Sequence, residues 1–510
     1  MDLVRSILSG RDELHDVMNI VLSQPRLFAA LLLFSGLILL LLRPGEKLPN
    51  APVYGYRSIF DPTLFLRFRF ITSAYDIIKA GYKEMKDRPF VLLGYDAHFL
   101  VLPNKYLEEI RLVPVSKLGG IGAQASNLAP KWTSMEFVLR SRLHVDVIRK
   151  KMTPELFKYV DMAYEELAYG WGIDVPIADN WTEASIEDVV RMLVACVSAR
   201  VFMGQPACRD PAWLNLSINF TIDLFMTAMT LRMFPSWSYW LIVWLIPGRY
   251  RIRNQLTTAR KYVEANEKRS RGEKAEEQDI LMHWMLDNGT PTELHLSHCG
   301  IHTTASSISN ILYDLCAYSE WFPVLRQEID EIAQDLGPPA RICSPRKCGA
   351  TDWTSLTASS WKASGTTPSL FSTPRERPMN PSPSKMGLIS PPEPDLHSPT
   401  LSHQMDPETF EDSEAFDPMR SFRKRQSAPD QKDLHKAGLT HPNNLVFGYG
   451  NQACTGRHFA VAEVKLIVFR LLYEFEFKFP DGKSKPKRQT INENVFTDPT
   501  AKLMMRKRRV

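Results

Sequence analysis

The chain has 510 residues, of which 44% are apolar and 23% charged, so it is long enough to bury a large globular core. Its formal net charge of +5 at pH 7 is compatible with an acidic partner or an anionic membrane surface. Seven cysteines are scattered without a C-x-x-C pair, which argues against a disulfide framework and against a cysteine-based zinc module. Reduced thiols are therefore expected.

Residues 27–43 are predicted to form a transmembrane anchor after an N-terminal segment, 1–26. The run is uncharged between Arg26 and Arg43, whose long side chains can reach the interface of a ~30 Å hydrocarbon layer. A proline-rich hinge, 44–53, follows it. A cleaved signal peptide is the alternative, and it is disfavoured because no small-residue cleavage site follows the run.

Residues 54–510 are predicted to form one large, mainly α-helical domain with a small β region. Aromatic and β-branched residues in 89–93 and 97–102 favour short strands. From Lys150 onward apolar residues recur at helical spacing, as in 183–203. The chain is thus predicted to place its small sheet first and most of its helices afterwards.

A long helix is predicted to begin at Thr290, where Thr-Pro-Thr-Glu forms a capping box with proline at the first helical position. The helix is expected to run to about Tyr318, although its middle, residues 299–304, is small and polar. His298 and His302 are spaced to hold a metal ion as an i, i+4 pair, with His295 on the same face. No carboxylate or cysteine nearby completes such a site, so this alternative is disfavoured.

A glycine-rich loop around Cys454 is the strongest chemical signal in the chain. Gly448, Gly450 and Gly456 surround the cysteine, and a segment that is apolar on nearly all sides begins at Arg457. Glycine allows the backbone to approach a ligand closely. The pattern suits a thiolate that binds a metal, and the alternative is a glycine turn with a buried structural cysteine.

This loop resembles the haem-binding loop of the cytochrome P-450 monooxygenases, F-x-x-G-x-[RH]-x-C-x-G. The resemblance implies haem b as the cofactor and the Cys454 thiolate as its proximal iron ligand, which favours O–O cleavage. It also implies that Phe447, Gly450 and Gly456 bind the cofactor. Gln452 departs from the pattern, because the family usually has Arg or His there to contact a haem propionate.

Two further segments resemble the same family. Residues 299–304 are similar to its A-G-x-[DE]-T-T segment, which implies that Gly300 permits close approach to the haem and that Thr303 holds the water network beside the oxygen site. His302 would replace the usual acid in delivering protons. Arg149 resembles the helix residue that pairs with a haem propionate, and a basic surface helix is the alternative for it.

The segment 338–404 interrupts this pattern, because it is rich in Pro, Ser and Thr and is expected to be disordered. The pattern resumes at Met405, and residues 416–420 match the family's F-x-P-x-R loop. Members of the family carry a Glu-x-x-Arg helix in this interval, and 338–404 contains none. We interpret the segment as the product of a wrong reading frame or an unspliced intron.

The resemblance implies a haem-thiolate monooxygenase of the endoplasmic reticulum membrane, single-pass, with its haem domain in the cytosol. It would use O2 and electrons from NADPH through a separate reductase, and it would contact membrane lipid and a small apolar substrate. The Ile-His-Thr-Thr segment at 301–304 and the Asn-Gln before Ala-Cys at 451–454 resemble those of fungal members that oxidise terpenoids, such as indole-diterpene and ent-kaurene oxidases. The basic run 506–509 is expected to be a solvated tail, so no nucleic-acid binding is predicted.

Two alternatives to this function stay open. The first is a catalytically inactive product of the same gene family, which the missing Glu-x-x-Arg helix suggests. The second is a membrane-tethered adaptor, which requires both motif matches to be accidental.

Overall fold

Helices surround one large core in the computed structural model of the chain. The structure describes residues 50–95, 97–114, 119–176, 178–234, 236–270, 279–289, 301–336, 370–371, 395–397, 400–410, 412–413, 415–487 and 489–509. All of these residues fall within a single compact unit. The predicted anchor 27–43 lies outside the described residues.

The helices of the described chain have the following bounds. They are α1 (Thr63–Glu84), α2 (Leu107–Ile110), α3 (Gly120–Asn127), α4 (Pro130–Thr133), α5 (Glu136–Arg140), α6 (Leu143–Val147), α7 (Leu156–Asp174), α8 (Ile186–Phe202), α9 (Pro211–Arg232), α10 (Tyr239–Leu245), α11 (Pro247–Ser270), α12 (Leu281–Asn288), α13 (Ile301–Ala317), α14 (Trp321–Leu336), α15 (Thr400–Gln404), α16 (Arg420–Gln426) and α17 (Arg457–Glu474). A π-helical turn, Ile148–Met152, continues α6. The prediction of a mainly α fold is confirmed.

The strands are β1 (Val53–Tyr54), β2 (Phe90–Leu93), β3 (His98–Val101), β4 (Thr182–Ala184), β5 (Leu370–Phe371), β6 (Asp395–His397), β7 (Phe475–Lys478), β8 (Gln489–Ile491), β9 (Asn494–Phe496) and β10 (Leu503–Lys507). One sheet has the order β1-β2-β3-β6-β5, a second the order β4-β10-β7, and β8 and β9 form a hairpin. The predicted strands near residues 89–93 and 97–102 are therefore present as β2 and β3.

Some residues of the Pro/Ser/Thr-rich segment 338–404 belong to the first sheet and to a helix. Strand β6 pairs in parallel with β3, and β5 pairs antiparallel with β6. His403, in α15, is buried and contacts Tyr82 of α1 through a hydrogen bond of 3.2 Å. These described residues are regular because backbone pairing with β3 depends little on the side-chain composition that predicted disorder.

The expectation of a solvated C-terminal tail is wrong. Strand β10 pairs with both β4 and β7, which places Arg506 beside Glu476 at 2.5 Å. Arg508 binds both carboxylate oxygens of Asp330 in α14, at 2.9 and 2.6 Å. Arg506 and Arg508 form ion pairs because carboxylates of β7 and α14, which are distant in sequence, lie opposite them.

The core lies where α7, α8, α13 and α17 pack together. Leu193 of α8, Ile308 of α13 and Ile467 of α17 are completely buried. This packing explains why α17 is apolar on nearly all sides, as the sequence predicts. Within the described chain one helix, α9, is long and apolar enough to cross a membrane by length and composition alone.

Glu463 is a carboxyl group buried inside this core. Its side chain accepts a hydrogen bond from the Ser198 hydroxyl at 3.2 Å, and burial raises its pKa from an ordinary value of 4.5 to about 8. The folded chain therefore holds a proton that the unfolded chain releases above pH 4.5. Stability consequently falls as the pH rises from about 4.5 to 8.

We expect Glu463→Gln to remove this pH dependence, because the amide fills the same space and does not ionise. Each pH unit in the window costs the wild type up to about 1.4 kcal/mol from this group. Melting temperatures measured between pH 5.5 and 8.5 should fall less steeply for Glu463→Gln. The exposed Glu109→Gln is the control and should follow the wild type, and a Glu463→Gln profile parallel to it would contradict the assignment.

Candidate active site

The loop that precedes α17 is held by its own backbone. The Cys454 N–H donates to the Phe447 carbonyl at 2.7 Å, and the Gly448 N–H donates to the Leu445 carbonyl at 2.9 Å. Gly448 and Gly450 have φ of +73° and +61°, which L side chains rarely adopt. The loop therefore forms a tight turn, and Cys454 lies just before the N-terminus of α17.

Cys454 is solvent-accessible, although protein atoms surround much of its thiol. Burial nevertheless raises its thiol pKa, against the opposing effect of hydrogen bonds from the Gly456 and Arg457 N–H groups and of the Arg457 guanidinium. An accessible sulfur with these donors behind it can bind a cation in front of it, and a bound cation would stabilise the thiolate.

Gly450 packs directly on the segment that follows α2. A Cβ at Gly450 would lie 2.4 Å from the Arg111 Cβ and 2.5 Å from the Arg111 carbonyl oxygen. The Asn451 N–H donates to that same carbonyl at 3.0 Å, and the Tyr449 hydroxyl donates to Glu108 at 2.7 Å. The loop is therefore clamped from outside as well as from within.

Gln452 connects the loop to α3. Its side-chain oxygen accepts a hydrogen bond of 2.7 Å from the N–H of Gly120, the first residue of that helix. An Arg or His at this position could not accept the bond while charged. The glutamine that departs from the motif thus anchors the loop to α3.

Two guanidinium groups lie near the cysteine. Arg457 donates to the Cys454 carbonyl at 2.9 Å and to the Gly438 carbonyl at 3.0 Å. Arg149, exposed on the π-helical turn, is close enough that its charge helps to lower the Arg457 pKa, after the larger effect of burial. The two guanidinium groups therefore make the surroundings of the loop electropositive.

Helix α13 contributes the other predicted residues and packs against α17. Thr303 is exposed although its neighbours Thr304 and Ala305 are buried. His302 Nε2 lies 2.9 Å from the Ile218 carbonyl of α9, and burial lowers its pKa. Gly300 lies outside the described residues, as do His295 and His298. Within the described part of the chain no cluster of metal-ligating side chains is found.

Comparisons with known proteins identify the family. The cytochrome P-450 family model matches residues 395–505. The chain is 38% identical to the cytochrome P-450 monooxygenase ATR4 of Stachybotrys chlorohalonatus over 90% of each chain. It is 34% identical to the monooxygenase sdnB of Sordaria araneosa, over 94% of this chain and 91% of the relative. This chain belongs to the cytochrome P-450 family.

Other relatives and a solved structure agree with this result. The P-450 is 30% identical to an ent-kaurene oxidase of Fusarium fujikuroi, over 90% of this chain and 88% of the relative. Its fold is similar to the crystal structure of the cytochrome P-450DA haem domain, with a TM-score of 0.64 and 13% identity. That similarity covers 90% of this chain and 97% of the other. The chain is thus a cytochrome P-450 monooxygenase, and the relatives named here are fungal.

Haem held by a cysteine thiolate is the cofactor of this family, and the described residues fit it. The accessible sulfur, the N–H donors behind it and the glycines that leave room around it suit the iron side. Arg149, exposed on the π-helical turn, offers a cation that suits a haem carboxylate.

Sequence reasoning assigned no role to Arg457 or to the segment at Arg111. A signal for Arg457 is present, because a cation in the first turn of a helix opposes the helix dipole and suggests another use. No signal is present for Arg111, which lies far from the loop in sequence and acts through its backbone.

We expect Gly450→Ala to destabilise the P-450 far more than Gly482→Ala, the matched control. Both glycines have left-handed φ, which costs alanine about 1–2 kcal/mol. Only Gly450 also meets Arg111, which adds about 1–3 kcal/mol of overpacking and brings its total to about 2–5 kcal/mol, whereas nothing lies within 4 Å at Gly482. Thermal unfolding followed by circular dichroism measures both, and equal losses would show that the clamp at Arg111 contributes nothing.

Proposed function

We propose that this P-450 oxidises an apolar terpenoid with O2, using electrons that a separate reductase takes from NADPH. The observation that carries the proposal is the accessible Cys454 thiol at the base of the glycine loop, with N–H donors and Arg457 behind it. The substrate class is supported by the names of relatives that act on ent-kaurene and are 30% identical.

In this proposal Cys454 is the iron ligand, and Arg149 binds a haem carboxylate. Arg457 holds the loop through the Cys454 and Gly438 carbonyls. The haem, when bound, supplies the activation of O2. The Gly456 and Arg457 N–H groups hold negative charge on the sulfur, and Gln452 fixes the loop against α3. The protein's own contribution is thus to set the basicity and position of the ligand.

Cys454→Ala should abolish the absorbance near ~450 nm of the reduced carbon-monoxide complex, because that band reports thiolate ligation. Cys316→Ala, in α13, removes a partly buried thiol away from the loop and should retain the band. Difference spectra of both variants, with haem content measured separately, make the test. A band that persists in Cys454→Ala would exclude it as the ligand.

We further propose that His302 and Thr303 carry protons to the oxygen site. A carbonyl oxygen only accepts, so His302 Nε2 must donate to Ile218, and Nδ1 is then the atom of the neutral ring that can take up a proton. The lowered pKa favours this neutral form at pH 7. The exposed hydroxyl of Thr303, on the adjacent residue, can hold the water that completes the path.

Thr303→Ala should keep haem binding but lower the product formed per NADPH several-fold, with the difference appearing as hydrogen peroxide. Thr303→Ser retains a hydroxyl at the same position and should restore most of the coupling. Product, peroxide and NADPH consumption are measured together. Unchanged coupling in Thr303→Ala would make this threonine structural.

Attachment to the endoplasmic reticulum membrane is proposed from one apolar surface in addition to the segment 27–43. The exposed side chains are Ile59, Phe60, Phe65, Phe68, Met233, Phe234, Trp237, Trp240, Leu241, Trp244 and Leu245. Tyr95 connects the side chains of residues 59–68 with those of residues 233–245, because its ring contacts Phe68 and its hydroxyl donates to the Met233 carbonyl at 2.8 Å. Tryptophans at such a surface suit the membrane interface.

The F-x-P-x-R loop bears on the alternative that the chain is a catalytically inactive product of the same gene family. Arg420 donates to the Asp412 and Ala415 carbonyls at 2.7 and 3.2 Å and lies 3.7 Å from Asp417. Its charge is thus satisfied within its own loop. The loop is therefore intact in a chain that lacks a Glu-x-x-Arg helix. A carbon-monoxide spectrum of the chain as written tests whether it is an active monooxygenase or an inactive family member. A transcript sequence across codons 338–404 tests whether that segment is read in the correct frame.

A further inference from the structure

A buried polar chain joins α1 to the turn that precedes the glycine loop. Its members Tyr82 of α1, His403 of α15 and Asp406 have exposed fractions of only 7%, 7% and 8%. The Tyr82 hydroxyl lies 2.8 Å from Asp406 Oδ2 and 3.2 Å from His403 Nδ1. On the other side of the ring, His403 Nε2 lies 3.0 Å from Asn443 Oδ1. The chain therefore connects parts of the fold that are more than 300 residues apart in sequence.

Asp406 fixes the direction of the first hydrogen bond in this chain. Lys86, just beyond the end of α1, pairs with Asp406 at 2.5 Å and also with Glu408. Burial opposes ionisation of Asp406, but the bonds from Lys86 and Tyr82 outweigh it and hold the carboxyl pKa below its usual value. An ionised carboxylate only accepts, so the single hydrogen of the Tyr82 hydroxyl points to Asp406.

His403 must then donate from both of its ring nitrogens. The Tyr82 oxygen, whose own hydrogen is already used, accepts from Nδ1, and the Asn443 amide oxygen accepts from Nε2. The ring also meets those of Tyr82 and Phe410 edge-on, with 6.4 and 6.5 Å between centroids. A ring that donates twice is an imidazolium, and a buried cation depends strongly on each of its partners. Loss of either acceptor therefore weakens the whole chain.

Asn443 passes this attachment on to the glycine loop. It lies within a turn in which the Asn444 N–H donates to the His441 carbonyl at 2.7 Å and the His441 N–H donates to the Asn444 carbonyl at 3.3 Å. The next residue, Leu445, is buried, and its carbonyl accepts the Gly448 N–H that closes the start of the loop. The position of Asn443 therefore sets where the loop begins.

We propose that Tyr82 and His403 are positioning residues for the Cys454 ligand, because the chain from Asp406 through Tyr82 and His403 to Asn443 holds the start of the glycine loop against α1. The inference rests on the proposed role of Cys454 as the iron ligand. Arg111 holds the far end of the same loop, at Gly450. When the chain is broken, the start of the loop loosens and the sulfur leaves the iron more readily.

The rate at which the reduced carbon-monoxide complex loses its absorbance near ~450 nm tests this positioning, because that band requires thiolate ligation. On mild warming, Tyr82→Phe should lose the band about tenfold faster than the wild type, since it leaves a buried donor of His403 unpaired. Tyr54→Phe is the matched control, because its hydroxyl also donates to a carboxylate of α1, Glu84, at 2.8 Å, but at the surface. It should stay within about twofold of the wild type.

Asn443 allows the same test at the exposed end of the chain. Asn443→Leu removes the acceptor of His403 Nε2 and should also lose the band about tenfold faster than the wild type. Asn443→Asp keeps an oxygen that accepts from the imidazolium and should hold the band at least as long as the wild type. Equal rates of loss in these two variants overturn the proposal, as does a wild-type rate in Tyr82→Phe.

Hydrogen exchange of the enzyme as isolated shows where the loosening occurs. In Tyr82→Phe and Asn443→Leu, amides of residues 445–454 should exchange at least about tenfold faster than in the wild type, and those of β4, β7 and β10 should not change. Unchanged exchange in 445–454, or equal acceleration in that sheet, overturns the proposal. If the wild type shows no band near ~450 nm while exchange changes as expected, the proposed function is contradicted and the attachment of the loop to α1 is not.

Discussion

A sulfur atom that must carry negative charge inside a protein is the constraint on which the site depends. Burial opposes ionisation of Cys454, and the Gly456 and Arg457 N–H groups only partly offset it, so the thiol pKa stays raised. A cation in front of the sulfur completes the balance. The glycine loop, the contact with Arg111 and the start of α17 together hold the sulfur and its N–H donors in place.

The sequence predicted the parts of this site that are local. The turn around Cys454 depends on glycines within a few residues of it, so the motif was sufficient to predict the turn. The mainly helical fold and the strands β2 and β3 follow from spacing and residue type in the same way. The role of Gln452 was not predictable, because its partner Gly120 lies more than 300 residues earlier and offers only a backbone N–H.

Two expectations drawn from composition differ from the structure for a common physical reason. Composition indicated that Pro/Ser/Thr-rich residues and a basic terminus would be irregular, yet β6 pairs with β3 and Arg508 pairs with Asp330. Composition indicates the structure that a segment would adopt in isolation. The structure that it adopts in the folded chain depends on tertiary contacts with distant residues, which no local pattern contains.

Helix α9 orients the ring of His302 from outside the core helices. The Ile218 carbonyl lies 2.9 Å from His302 Nε2, and because a carbonyl oxygen only accepts, the ring must donate there. Burial lowers the pKa of His302, which favours the neutral ring at pH 7 and leaves Nδ1 as its acceptor. The proton-carrying role proposed for His302 therefore depends on a backbone carbonyl 84 residues earlier in the chain, which no motif around His302 could indicate.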